Sequence, residues 1–228
     1  MTSSTSPQAG EGPRATARRL HIARILEAGE RQLAEGGPAR LSLRAIARGQ
    51  GMASSAIYRY FASADELLTA LILRAYSDLG DAAERAAANA APGEEGFMAV
   101  CHAVRDWALA QPHRYALIYG SPVPDYHAPE STVEPAARVG VALLRLLPPA
   151  SGRVQDGAGG LDLLDPGLVA LAEGTGADPR QLPAGVAVWS QLFGLVSFEL
   201  FGHFHNVVAA RRSLFDDTLR AAYRRMSG

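Results

Sequence analysis

The chain has no lysine: all 22 of its basic residues are arginine. GC-rich coding bias accounts for that over the chain as a whole. Within the first 61 residues arginine's planar fork, which grips a phosphate through two parallel hydrogen bonds, adds a functional reason. Cysteine is almost absent. The single Cys101 excludes an internal disulfide and fits a reducing cytoplasm. Set in the apolar run FMAVCHAV, it reads as core filler rather than as a redox sensor. Catalytic signatures are missing too, with no G-x-S-x-G, no G-x-G-x-x-G after a strand, no P-loop and no C-x-x-C. No enzyme is therefore expected, and no catalytic residue, cofactor or metal. The opening MTSSTSPQAGEGP is polar and lacks a charged-then-apolar signal peptide, so residues 1–14 are expected to form a disordered tail. Excess charge is also absent, since the net is only -1, but the charges are unevenly placed. Residues 1–61 hold nine Arg against four Glu, a net of +5, which leaves 13 Arg against 19 acids, a net of -6. A basic head precedes an acidic body.

What is present is helical periodicity. At 228 residues and 48% hydrophobic content the chain can form one large domain, or a small one joined to a larger. Ile22, Ile25, Leu26, Gly29 and Leu33 make one stripe of a helix that should begin near Ala15 and end by Gly36. The decisive stretch is residues 41–71, LSLRAIARGQGMASSAIYRYFASADELLTAL. Leu43, Ile46 and Ala47 recur at helical spacing before a glycine-containing turn, and Ile57 and Phe61 lie four apart after it. Two short helices sharing a small core, joined by a tight turn, form a helix-turn-helix pattern. Ser42 is placed to cap the first of them, and Ser54 and Ser55 to begin the second. Ser54, Ser55, Tyr58 and Arg59 fall on the outward face, and no carboxylate lies between Arg40 and Phe61. That surface suits phosphate. The next helix opens at the capping box Ser63-Ala64-Asp65-Glu66 and continues through Leu67, Leu68, Leu71, Ile72, Ala75 and Leu79.

At these residues the chain resembles the TetR/AcrR family of transcriptional regulators. The resemblance lies in L-S-L-R-x-I-A, a Gly turn, S-S-x-I-Y-R-Y-F and S-x-x-E-L-L, and it spans about residues 17–75. It implies that Ser42 and Arg44 touch the DNA backbone or flanking bases. In the recognition helix Ser54 and Ser55 would meet base edges, and Tyr58 and Arg59 would hold phosphates. Many family members carry lysine where this chain has Ala64, so one phosphate contact is in doubt here. Arg14, Arg18 and Arg19, near the tail, either reach a neighbouring groove as an arm or are simply solvated.

The remainder reads as a larger helical body. Helical spacing runs from Glu94 through Phe97, Val100, Cys101, Val104, Trp107 and Ala108 to Gln111, and a short element starts at Pro112. Further helices are expected over residues 132–147 and 166–175, separated by PPASGRVQDGAGG, which reads as a mobile surface loop. Between Arg180 and Arg211 the only formal charge is Glu199. So long an apolar run raises a membrane span, against which stand Gln191, Glu199, His203 and His205; no membrane is expected. A helix apolar on all sides is instead buried on all sides, one face on the body and the other on a second copy, with Gly194 and Gly202 allowing close approach. Together with a final helix over residues 211–226 this makes a four-helix homodimer interface through the last two helices, as the family resemblance also implies. Glu199 with His203, and His102 with Asp106, are spaced four apart and could in principle hold a metal, but the favoured reading is that Glu199 accepts a hydrogen bond from a partner helix while the His residues make ordinary interior or rim contacts. Phe97, Trp107, Tyr115, Tyr119, Trp189 and Phe193 could line a pocket for a small apolar or aromatic ligand, although plain core packing explains most of them individually.

The expected architecture is all-α: a three-helix helix-turn-helix DNA-binding head over residues 15–62, then a ligand-binding and dimerisation body over residues 63–228. The expected function is a cytoplasmic, ligand-responsive homodimeric regulator, a repressor, binding palindromic double-stranded DNA. The alternative is an all-helical ligand carrier or enzyme whose head serves another purpose.

Overall fold

Pro13 stands at the first position of α1 (Pro13–Gly36), where its missing N–H costs nothing and its fixed φ already suits a helix. The helix therefore starts two residues before the expected Ala15, and Arg14, Arg18 and Arg19 lie within it, not on a loose arm. The computed structural model describes residues 12–148, 162, 164–174 and 178–227, whose regular elements are all helices, with no strand among them. The expected tail, up to residue 11, lies outside the described residues, as does the expected loop beyond Pro148. Contacts divide the chain into two units, Met1–Leu71 and Ile72–Gly228.

In the first unit α1 buries Ile25, Ala28, Gly29 and Leu33. Helix α2 (Leu43–Gly49) buries Leu43, Ile46 and Ala47, and the start of α3 (Ala64–Asn89) adds Leu67, Leu68 and Leu71. Ile57 and Phe61 complete this small core at 0% and 5% exposure. The capping box forms with one change of register. Ser63 Oγ accepts from Glu66 N–H at 3.1 Å, while the Glu66 carboxylate accepts from the N–H of Ala62, one residue before the expected partner.

The second unit is a bundle built on α4 (Glu94–Ala110) and α8 (Leu182–Leu200). Helices α5 (Pro112–Tyr119), α6 (Val133–Leu144), α7 (Pro166–Gly174) and α9 (Arg211–Ser227) complete it with the rest of α3. Its core joins Leu79, Phe97, Val100, Cys101, Val104, Tyr115, Leu143, Leu192, Val196, Phe215 and Leu219, among others. Cys101 is fully buried here, and desolvation raises its thiol pKa far above the ordinary value, which suits a packing role.

The apolar run after Arg180 is not one helix. Helix α8 stops at Leu200 and the chain turns over residues 201–207, with Gly202 at φ +82° and Asn206 at φ +59°. Gly202 thus serves a left-handed turn instead of a helix–helix approach. His203 leaves the helix as well, so it does not share a face with Glu199. Among the described residues no helix is long and apolar enough to cross a membrane. Glu199 instead accepts two hydrogen bonds from Arg105 on α4, at 2.8 and 2.7 Å, and His102 pairs with Asp216 on α9 at 2.7 Å. The partner-helix reading of Glu199 holds. No group of three or more His, Cys, Asp or Glu placed to hold a metal occurs among the described residues.

Candidate nucleic-acid interface

Helix α2 is fastened at both ends. Ser42 Oγ accepts from Ala45 N–H at 3.3 Å, as the sequence predicts, and the Ser42 N–H donates to Gln32 Oε1 on α1 at 2.9 Å. The hydroxyl hydrogen of Ser42 remains free to donate. At the other end Gly51 takes φ +66°, its N–H bonds to Arg48 O at 3.1 Å, and Met52 N–H reaches back to Ala47 O at 2.9 Å. This is a Schellman stop, which needs a residue at ease in the left-handed region. Gln50 Nε2 donates to Arg24 O at 2.8 Å and ties the turn to α1.

The element after the turn differs from expectation. Instead of an α-helix starting at Ser54, residues 54–56 form a turn and Ile57–Arg59 a 3₁₀ helix. Most of the bonds are of the tighter type, Ala56 N–H to Ala53 O at 2.8 Å, Arg59 N–H to Ala56 O at 3.3 Å and Tyr60 N–H to Ile57 O at 2.9 Å, with one α-type bond from Phe61 N–H to Ile57 O at 3.1 Å. The reason is local. Ser, Ile, Tyr and Phe are middling helix formers, so the twelve residues between Gly51 and α3 gain little from α-helical propensity. Burial of Ile57 and Phe61 sets the path of the segment.

Around that path Ser54, Ser55, Tyr58 and Arg59 are exposed, Arg44 is exposed on α2, and Ser42 is half-buried. Tyr58 keeps 43% of its surface open, high for an aromatic ring beside a core. Arg40, Arg44, Arg48 and Arg59 stand on this acid-free stretch. Arg44 is thus carried on α2, Ser42 caps the start of that helix, and Ser54, Ser55, Tyr58 and Arg59 follow on the next segment.

Tyr60 escaped the sequence reading. Its ring lies 5.5 Å from that of His21 and 6.0 Å below the guanidinium carbon of Arg18, both on α1. The expected helix from Ala15 already held Arg18, but no local pattern shows which ring its guanidinium meets.

In the second unit the aromatic residues divide. Tyr115, Tyr119, Trp189 and Phe193 form one group, with Tyr119 and Phe193 centroids 4.2 Å apart, Tyr115 and Tyr119 5.2 Å, and Trp189 and Phe193 5.4 Å. Tyr76 and Phe201 join its edges. Phe97 packs elsewhere, against Tyr223 at 5.1 Å, and Trp107 lies half-buried on the same core. The Tyr115 hydroxyl sits within 2.8 Å of Ser197 Oγ and donates to Phe193 O at 3.1 Å. Desolvation moves its pKa from the ordinary 10 to about 12, against the opposing bond from Ser197.

Two family models match the chain. Residues 25–71 match the bacterial regulatory proteins of the tetR family, and residues 97–222 match the tetracyclin repressor-like C-terminal domain. HTH-type transcriptional regulators from Mycobacterium bovis and Mycobacterium tuberculosis are each 42% identical over 201 residues, covering 85% of this chain and 86% of theirs. A crystal structure of a regulatory protein superposes with TM-score 0.75 at 33% identity, covering 92% of this chain and 98% of that one. A TetR family transcriptional regulator from Thermus thermophilus, at 20% identity and TM-score 0.51 over 89% of this chain and 96% of that one, shares the fold. With a helix-turn-helix head in which Ile57 and Phe61 are buried and Tyr58 and Arg59 exposed, and with both family models matching, the chain belongs to the TetR family of DNA-binding transcriptional regulators.

Proposed function

We propose that this regulator is a ligand-responsive repressor that binds a palindromic operator as a homodimer in the cytoplasm. The observation that carries the reading is the acid-free, outward-facing set Ser54, Ser55, Tyr58 and Arg59 held over buried Ile57 and Phe61. Tyr58, Arg59 and Arg44 bind phosphates, and Ser42 does so through its remaining hydroxyl hydrogen. Ser54 and Ser55 face base edges, where a hydroxyl that donates or accepts discriminates weakly. Residues 15–62 serve as the DNA-binding part, and residues 63–228 carry ligand binding and dimerisation through α8 and α9. Two heads spaced about 34–36 Å apart fit successive major grooves.

A small apolar or aromatic ligand is held at Tyr115, Tyr119, Trp189 and Phe193, with Trp107 and Phe97 behind them in the same core. It acts by favouring another spacing of the heads; a coupling of about 1–3 kcal/mol lowers DNA affinity about 5- to 150-fold.

Fluorescence anisotropy with a duplex from the region upstream of its own gene, and with palindromes selected from a random pool, tests the reading. Arg59→Ala should weaken all duplexes about equally and lower the salt slope by about one. Absence of binding to any of these duplexes at low salt would sink the proposal.

A further inference from the structure

The first turns of α1 carry Arg14, Arg18 and Arg19, all exposed, and no carboxylate stands between Gly12 and Leu26. The acid-free surface of the recognition segment therefore has a counterpart on α1. The two meet at Tyr60. Its ring lies 6.0 Å from the guanidinium carbon of Arg18, and its backbone N–H is fixed to Ile57 O at 2.9 Å within the segment that presents Tyr58 and Arg59. His21, nearly one turn after Arg18, packs on the same ring at 5.5 Å.

An aromatic platform changes what an exposed arginine can do. A solvated guanidinium samples many rotamers and must lose that freedom on binding an anion. One resting on a ring has part of its freedom removed already, while its N–H edges stay available for a phosphate. Arg59 adjoins Tyr60 in sequence and Arg18 adjoins its ring in space. Arg14, four residues before Arg18, extends the same helix face away from it.

We propose that Arg18 is a further phosphate-binding residue of the DNA interface and that Tyr60 is its positioning residue, giving α1 its own hold on the backbone beside that of the recognition segment. The inference rests on the DNA-contacting reading of Tyr58 and Arg59.

The test uses the full chain and, as probe, a duplex selected from a random pool by the wild-type protein, with affinity followed against sodium chloride concentration. Arg18→Gln lowers the slope of log affinity against log salt by about 0.9 for each bound protomer; with two protomers on the duplex, affinity then falls about tenfold less over a fourfold rise in salt. Tyr60→Phe keeps the wild-type slope. Tyr60→Leu loses as much as Arg18→Gln, and combining the two loses no more. The base preference found on reselection stays the same in all of them. An unchanged slope in Arg18→Gln, with a lowered slope in Arg59→Ala, overturns this proposal and leaves the DNA-contacting reading standing. Unchanged slopes in both overturn that reading itself. A slope lowered in Tyr60→Phe transfers the contact to the tyrosine hydroxyl and overturns the platform. Should Tyr60→Leu fail to give a cooperative thermal melt, the Arg18→Gln and Tyr60→Phe results decide.

Discussion

Arg105 of α4 and Glu199 of α8 form a two-pronged pair, Nε to Oε2 at 2.8 Å and Nη2 to Oε1 at 2.7 Å, with side chains only 10% and 9% exposed. The guanidinium carbon also lies 5.7 Å from the Phe215 ring centroid on α9, so a single polar contact joins three helices of an apolar bundle.

Breaking that pair from one side should cost far more than removing it whole. Glu199→Gln leaves a buried guanidinium with the exposed Asp106 carboxylate, 3.6 Å away, and the Asp216 carboxylate as counter-charges. The expected loss is about 3 kcal/mol of unfolding free energy, whereas Arg105→Met with Glu199→Leu together should recover most of it. Urea unfolding of Glu199→Gln and of the double variant measures both quantities.

Alkaline pH should destabilise the second unit. Burial raises the hydroxyl pKa of Tyr115 to about 12, and it raises those of Tyr76 and Tyr119 as well. The unfolded chain therefore gives up these protons first, near pH 10, and binds fewer than the folded chain. Stability is full below that value and is lost as pH rises toward 12. On the acid side the Arg138 hydrogen bond holds the Glu84 carboxyl below its ordinary 4.5, so that contribution is present above about pH 4.5 and fades as pH falls. Thermal melts should trace a plateau falling away at both ends, with Tyr115→Phe softening the alkaline fall.

Ser42 offers a way to part stability from DNA affinity. Ser42→Ala removes the cap on Ala45 N–H and should cost about 1 kcal/mol. Ser42→Asp keeps a capping oxygen but sets a negative charge against a phosphate, so its melt should match the wild type while its affinity for DNA falls. Equal affinities for Ser42→Asp and wild type would remove Ser42 from the interface.

Gly194 tests the dimer. It lies on α8 with Ala187, Ser190 and Phe198 along one face, Phe198 is 52% exposed, and a Cβ at Gly194 meets nothing within 4 Å. In a lone chain Gly194→Ala should stabilise α8 by about 0.5–1 kcal/mol through helix propensity. If a second copy packs on this face, Gly194→Arg keeps its helicity but sediments as a single chain. Wild-type mass unchanged in Gly194→Arg would place the interface elsewhere.

Much of the fold was legible because helical burial repeats with a fixed period. The stripe at Ile25, Gly29 and Leu33 and the series from Leu67 to Leu79 are buried where the spacing puts them. Breaks were readable where a residue forces one, as at Pro112. Less legible were places where two local tendencies compete. After Gly51 the four-residue spacing of Ile57 and Phe61 fits an α-helix and a pair of tighter turns equally well. In the run after Arg180, hydropathy continues past Leu200, while Gly202 and Asn206 turn the backbone without any change in polarity. Among the candidate site residues, exposure of Tyr58 and Arg59 followed from their spacing relative to Ile57. The grouping of Tyr115 with Trp189 and Phe193 depends on how α5 meets α8, a contact between distant segments that no local pattern encodes.

The recognition segment hangs on two apolar anchors, Ile57 and Phe61, while Ser54, Ser55, Tyr58 and Arg59 point away from everything that holds it in place. Folding and reading are therefore written in separate letters. Exchanges at the four outward positions should leave the melting behaviour of the chain almost untouched, each within about 0.5 kcal/mol. Operator choice can then drift, or be redesigned, without first securing spare stability elsewhere in the molecule.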